Sequence, residues 1–167
     1  MKTLIAYCTT HGCSEKTASE LKMYLGEDAV LCNLKKEKTP GLKNFDRVII
    51  GGSIHAGKIQ KTIQHFCTKN LDTLKQMELG LFICCMEEGE NARNQLQNVF
   101  PEELQEIAKA SACLGGEFNF GKMNFIEKFV VRKIAHVEES VSKIDHSAIE
   151  HFSNRMDKIF NPFLFLS

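Results

Sequence analysis

The chain has 167 residues, 43% of them hydrophobic and 25% charged, which fits one domain spanning residues 1–167 with a sheet covered on both faces. Its 21 basic and 21 acidic side chains balance, so no global field recruits nucleic acid, and we expect no such partner. Residues 1–3 lead straight into a strand-like segment without a signal peptide, and no apolar run is long enough to cross a bilayer.

The seven cysteines are an odd number and lie mostly within apolar runs, as is typical of a reduced cytoplasmic protein. Neither Cys8 with Cys13 nor Cys84 with Cys85 has the spacing of a common metal site. We therefore expect small core side chains, no metal and a cytoplasmic location.

Five apolar segments without helical periodicity predict buried strands, namely Leu4–Tyr7, Val30–Leu34, Arg47–Ser53, Leu79–Met86 and Ala110–Phe118. Helically spaced apolar residues between them predict helices. Ser14 is the expected N-cap of the first helix, and Ser147 with Glu150 predicts a capping box for the last, whose apolar face extends to Ile159 and Phe160. Alternating strands and helices predict an α/β three-layer sandwich with a parallel sheet.

The segment after the first strand, Thr9-Thr10-His11-Gly12-Cys13-Ser14, is rich in hydroxyl groups and leads into a helix. A helix N-terminus presents unpaired N–H groups and the positive end of its dipole, so this loop predicts an anion site. The Gly-Lys-Ser/Thr pattern of triphosphate loops and the G-x-G-x-x-G of dinucleotide folds are both missing. Hydroxyls and amides, with no counter-charge, are the expected ligands.

This loop resembles the signature of the flavodoxin family. Tyr7, Thr9, Gly12, Ser14 and Ala18 occupy the signature positions, with Ser14 where threonine is usual. The resemblance implies a flavodoxin-like strand order of 2-1-3-4-5 and FMN as cofactor. By resemblance, the FMN phosphate is held by Thr9, Thr10, His11, Gly12, Cys13 and Ser14. An ordinary capped turn between strand and helix is the alternative interpretation.

Two further loops follow the third and fourth strands and should meet the first at the carboxyl edge of the sheet. The resemblance implies that one loop covers a face of the isoalloxazine ring and the other its opposite edge. The residues concerned are Ser53, Ile54, His55, Ala56 and Gly57 in the first, and Cys85, Met86 and Glu87 in the second. The second loop has no Tyr or Trp. The resemblance also implies no catalytic side chain, because the flavin performs the redox chemistry.

The segment of about residues 119–143 is an insertion relative to simple flavodoxins. It predicts an amphipathic helix with apolar Phe125 and Phe129 and with basic Lys122, Lys128 and Arg132. Together with MKTLIAY and FDRVIIGGSIHAGK, it resembles the menaquinone-dependent protoporphyrinogen dehydrogenases.

That resemblance implies an oxidoreductase that oxidises an organic substrate such as a porphyrinogen and passes electrons to a quinone. It also implies peripheral contact of residues 122–134 with the inner face of the membrane. Alternatives for the helix are packing on the sheet edge or a homodimer contact. The alternative function is a flavodoxin-type carrier between redox partner proteins, against which the neutral charge and the insertion count. The third possible function, which is not enzymatic, is a flavin-dependent sensor or partner-binding module.

Overall fold

A computed structural model describes residues 1–157 and contains a parallel sheet at its centre. The strands are β1 (Thr3–Cys8), β2 (Ala29–Asn33), β3 (Arg47–His55), β4 (Lys58–Ile59), β5 (Glu78–Cys84) and β6 (Ala110–Cys113). Five of them form the parallel order β2-β1-β3-β5-β6, while the two-residue β4 pairs antiparallel with the end of β3. The predicted order of the five long strands is therefore confirmed.

Helices cover both faces of this sheet and give a three-layer α/β arrangement. They are α1 (Cys13–Leu25), α2 (Lys61–Lys69), α3 (Leu71–Leu74), α4 (Gly89–Val99), α5 (Glu102–Ile107) and α7 (His146–Asp157), whereas α6 (Phe125–Ala135) buries no residue. Successive residues of a strand face opposite sides, so Ile49 packs in one core and Val48 and Ile50 in the other. This double burial explains the continuous apolar runs in the sequence. Within residues 1–157, no helix is long and apolar enough to cross a membrane.

The fifth predicted strand, Ala110–Phe118, was wrong as one element, because the chain turns at Gly115. That residue has φ +79°, and a Cβ there would collide with the carbonyl oxygen of Lys143. Beyond β6, the segment β7 (Gly115–Phe118) leaves the main sheet and pairs antiparallel with β8 (Val141–Ile144). This hairpin carries α6 between its strands.

Two predicted helix caps were also wrong. Gly12, with φ +98°, is the N-cap of α1, and Ser14 lies inside the first turn. At α7, the Asp145 carboxylate accepts the N–H of Ala148 at 2.8 Å, the bond of an aspartate N-cap. In both cases a residue two positions earlier replaces the expected serine. The Ile159 and Phe160 face of the last helix and the tail 161–167 lie outside the described residues.

A buried arginine ties α7 to the amino end of the sheet. Arg47, 3% exposed, donates from Nε to Glu78 at 2.7 Å and from Nη1 to Asp157 at 2.8 Å. Its Nη2 donates to the carbonyl oxygen of Met156 at 2.6 Å. Each side of the guanidinium therefore has a partner, as a buried charge requires. The opposite, carboxyl end of the sheet carries the loops of the candidate site.

Candidate anion and cofactor site

Three loops meet at the carboxyl edge because they follow neighbouring strands. In the register of the sheet, Cys8 of β1 lies beside Gly52 of β3, and Ser53 lies beside Cys84 of β5. The loops that begin at these positions are residues 9–12, 56–57 and 85–88. The expected convergence of the three loops is thus a property of the strand register.

The first loop forms a cradle of backbone N–H groups at the start of α1. Thr9 Oγ1 accepts the N–H of Gly12 at 2.9 Å, which closes a tight turn. The first bond of the helix runs from the N–H of Lys16 to the carbonyl of Gly12 at 3.1 Å. The N–H groups of Cys13, Ser14 and Glu15 therefore precede the helical ladder, as expected at a helix N-terminus that binds an anion.

A pair of hydroxyls joins the first loop to the second. Ser14 Oγ and Ser53 Oγ are 2.6 Å apart, and both side chains are buried. The N–H of Ser53 donates to Gln60 Oε1 at 3.1 Å, while Gln60 Nε2 is buried without a partner among the described residues. One hydroxyl of the pair donates to the other, so only the accepting hydroxyl keeps a proton that can rotate toward a further oxygen acceptor.

Two histidines lie side by side on the same edge. The rings of His11 and His55 meet edge to face with centroids 5.8 Å apart, and His11 Nε2 is 3.2 Å from Glu127 Oε2. Crowding by surrounding atoms removes part of the hydration of the exposed His55 ring and lowers its pKa, and His11 lowers it further. Hydrogen bonding to the Asn124 N–H, and then to His11, lowers the pKa of Glu127.

The segment between β7 and α6 folds back over the first loop. A Cβ added to Gly12 would lie 2.7 Å from Lys122 Nζ, so this ammonium covers the cradle. Lys16 Nζ of α1 pairs with Glu117 Oε1 at 2.6 Å, while Glu117 Oε2 is buried without a partner among residues 1–157. The expectation that the loop has no counter-charge was therefore wrong.

The remaining candidate residues differ in exposure. Ala56 and Gly57, with φ of 50° and 73°, form an exposed two-residue turn between β3 and β4, and Ile54 before it is half-buried. Cys85 is buried, Met86 is half-buried and Glu87 is exposed. The turn and the Met86 side chain are thus free to border a ligand that the first loop anchors, whereas Cys85 offers only its backbone. Thr10 is exposed at the rim of the first loop.

The donor set at the first loop fits a phosphate monoester. It combines helix N–H groups, the Ser14 and Thr9 hydroxyls and the Lys122 ammonium, for which the missing Cβ of Gly12 makes room. Hydrogen bonds to a charged oxygen are stronger than those between neutral groups. Within residues 1–157 no cluster of three or more His, Cys, Asp or Glu side chains is arranged to hold a metal ion.

Lys122, Glu127 and Glu117 belong to the site although sequence reasoning did not place them there. For Glu127 the sequence does contain a recognisable pattern, because Asn124 and Glu127 form the reciprocal capping box of α6. Their approach to the first loop depends on the β7–β8 hairpin, and no local pattern reports such a long-range pairing. Lys122 likewise reaches the first loop only because β7 and β8 pair.

The sheet order and the loops at its carboxyl edge define a doubly wound α/β protein, and the N-terminus of α1 is its candidate phosphate site. The family model described as flavodoxin domain matches residues 4–145, and the chain belongs to this family.

Over 143 residues, the chain is 27% identical to protoporphyrinogen IX dehydrogenase (quinone) of Escherichia coli strain K12, covering 80% of this chain and 78% of that protein. A solved flavodoxin from the domain Archaea has a TM-score of 0.57 at 12% identity, covering 95% of this chain and 100% of that one. The chain spans only 37% of rubredoxin:oxygen oxidoreductase from Desulfovibrio gigas, at 15% identity and TM-score 0.48, with 93% of this chain covered.

Proposed function

We propose that this protein binds FMN and acts as an FMN-dependent oxidoreductase. The observation that carries the proposal is the start of α1, where helix N–H groups, the Thr9 hydroxyl bonded to Gly12 and the Lys122 ammonium lie together. These groups are suited to bind a phosphate monoester. Membership of the flavodoxin family supports a flavin as the molecule that carries this phosphate. When bound, the flavin supplies the redox chemistry, and the chain supplies binding, orientation and electrostatics.

In this proposal each loop has a distinct task. Residues 9–14 hold the phosphate, with Ser14 and Ser53 sharing one hydroxyl pair that keeps the first two loops together. The end of β3 and its turn, residues 54–57, border one face of the ring system, and residues 85–87 border its edge. His55 stays neutral near pH 7 because its pKa is lowered, so it accepts or donates a hydrogen bond without adding charge.

The proposed reaction is the oxidation of an organic substrate such as a porphyrinogen, with a quinone as the electron acceptor. Support comes from the similarity to the Escherichia coli protein, whose name states both. The second candidate is electron transfer between redox partner proteins, which rests on membership of the flavodoxin family.

We further propose that α6 makes peripheral contact with a membrane through residues 122–134. Its apolar side chains face solvent, with Phe125 83%, Ile126 72% and Ile134 76% exposed. In the described part of the chain no residue of α6 is buried, which argues against the helix belonging to the core. Lys128, Arg132 and Lys133 add the positive charge that an anionic lipid surface attracts. A homodimer contact is the alternative use of the same face.

The test is anaerobic reduction of the FMN-loaded protein, followed by mixing with a water-soluble menaquinone analogue. Rapid return of the oxidised flavin spectrum supports the quinone-linked oxidoreductase, and porphyrinogens are then tried as donors. Reduction in separate one-electron stages, with no reoxidation by the quinone, supports the carrier instead. A protein that never acquires a bound flavin spectrum contradicts both functions.

A further inference from the structure

Two cysteine thiols face each other at the carboxyl edge and have no part in the proposed function. Cys85 follows β5 and Cys113 ends β6, and their Sγ atoms are 3.0 Å apart. A disulfide bond requires about 2.05 Å, so the two sulfurs are within about 1 Å of bonding distance. Cys85 is 5% exposed, whereas Cys113 is only partly buried.

The two thiols are chemically unequal. The Cys85 thiol and the N–H groups of Gly115 and Cys85 hydrogen-bond to Cys113 and lower the pKa of its thiol to about 7, although burial opposes them. The same hydrogen bond, together with burial, raises the pKa of Cys85. The less buried Cys113 is therefore partly thiolate near neutral pH and is the nucleophile of the pair, whereas Cys85 remains a thiol.

We propose that Cys85 and Cys113 form a redox-active dithiol that exchanges with low-molecular-weight disulfides. The Cys113 thiolate attacks one sulfur of such a disulfide, forms a mixed disulfide and releases the first small thiol. The Cys85 thiol loses its proton and attacks the Cys113 sulfur, which releases the second small thiol. The protein loses two electrons and two protons, and the small disulfide is reduced to two thiols.

A second cysteine pair in the same chain is expected not to react with external disulfides. Cys13 and Cys84 hydrogen-bond to each other on the opposite face of the sheet, and the Cys84 thiol also contacts Thr17 Oγ1 at 3.4 Å. Both side chains are at most 5% exposed. No external disulfide reaches them in the folded protein, so this pair serves as an internal control.

The position of the dithiol gives its oxidation a structural consequence. Gly116 packs directly against the backbone of Cys85, and the N–H of Cys85 donates to the carbonyl of Gly115 at 2.9 Å. A bond between the two sulfurs would tie residues 85–87 to the point where β7 leaves the sheet. The exchange reaction itself needs no cofactor, so it stands or fails independently of FMN binding.

The test incubates the fully reduced, folded protein with glutathione disulfide, quenches free thiols by alkylation and maps the cysteines by peptide mass spectrometry. The expected product is a Cys85–Cys113 crosslink with release of two glutathione molecules. The variant Cys85→Ser should trap glutathione on Cys113, and Cys113→Ser should slow glutathione release at least tenfold. The control Cys84→Ser should react like the unmodified protein.

Three results would overturn the proposal. These are absence of the Cys85–Cys113 crosslink in folded protein, reaction of Cys113→Ser at the unmodified rate, and reaction only after addition of urea. Far-ultraviolet circular dichroism of each variant shows whether it is folded before the reaction. If a variant does not fold, the crosslink map of the unmodified protein alone decides between the Cys85–Cys113 pair and the Cys13–Cys84 pair.

Discussion

Replacing Lys122 with alanine should weaken FMN binding and leave riboflavin binding almost unchanged. The ammonium lies over Gly12, where the phosphate is proposed to bind, and riboflavin has no phosphate. Two unit charges about 4 Å apart attract by about 1 kcal/mol in water and about 4 kcal/mol at the effective dielectric of a protein surface. Lys122 is exposed, so we expect a loss of about 1–2 kcal/mol, or a roughly five- to thirtyfold rise in Kd.

The assay is a flavin fluorescence titration at low and high salt. The loss should shrink at 1 M salt, because screening acts over about 3 Å there. Lys122→Arg should restore most of the affinity, and Lys128→Ala serves as the matched control on the same segment. An equal loss for riboflavin, or none for FMN, would refute the role of this ammonium.

Three other outcomes follow from the same structure. Ser14→Ala should weaken FMN binding by about 1.5–3 kcal/mol, the worth of a hydrogen bond to a charged group, and an unchanged titration would contradict the phosphate assignment. Arg47→Ala should lower the free energy of unfolding in urea by about 1.5–3 kcal/mol, because the Met156 carbonyl and Asp157 lose their donor while Glu78 keeps Lys109 at 3.1 Å, whereas the exposed control Arg93→Ala should change it by less than about 0.5 kcal/mol. Combined Phe125→Ser and Phe129→Ser should abolish association with anionic liposomes at an unchanged urea midpoint, and a lowered midpoint would place these rings in the core.

The central sheet could be predicted from sequence because its strands are buried on both faces. Runs such as Val48, Ile49 and Ile50 have no helical period, and the loop after β1 carries its own signature. The edge beyond β6 could not be predicted in the same way. Gly115 looks like any strand glycine until its positive φ is known, and the short β8 has exposed residues and little apolar pattern.

Some residues of the candidate site could likewise be predicted from local sequence, and others could not. The residues within the first loop are close in sequence, so local pattern was enough to group them. Lys122 and Glu127 reach that loop from more than 100 positions away, through a hairpin that only tertiary structure reveals. The same limit applies to the sulfur contact between Cys85 and Cys113, which depends on the pairing of β5 with β6.

The three loops at the carboxyl edge are proposed to bind one FMN through its phosphate. The most direct measurement is a titration of the cofactor-free protein with FMN and with riboflavin, followed by quenching of flavin fluorescence. We predict saturation at one FMN per chain, with riboflavin bound at least tenfold more weakly. Equal affinity for the two flavins, or no saturable binding of either, would contradict the claim.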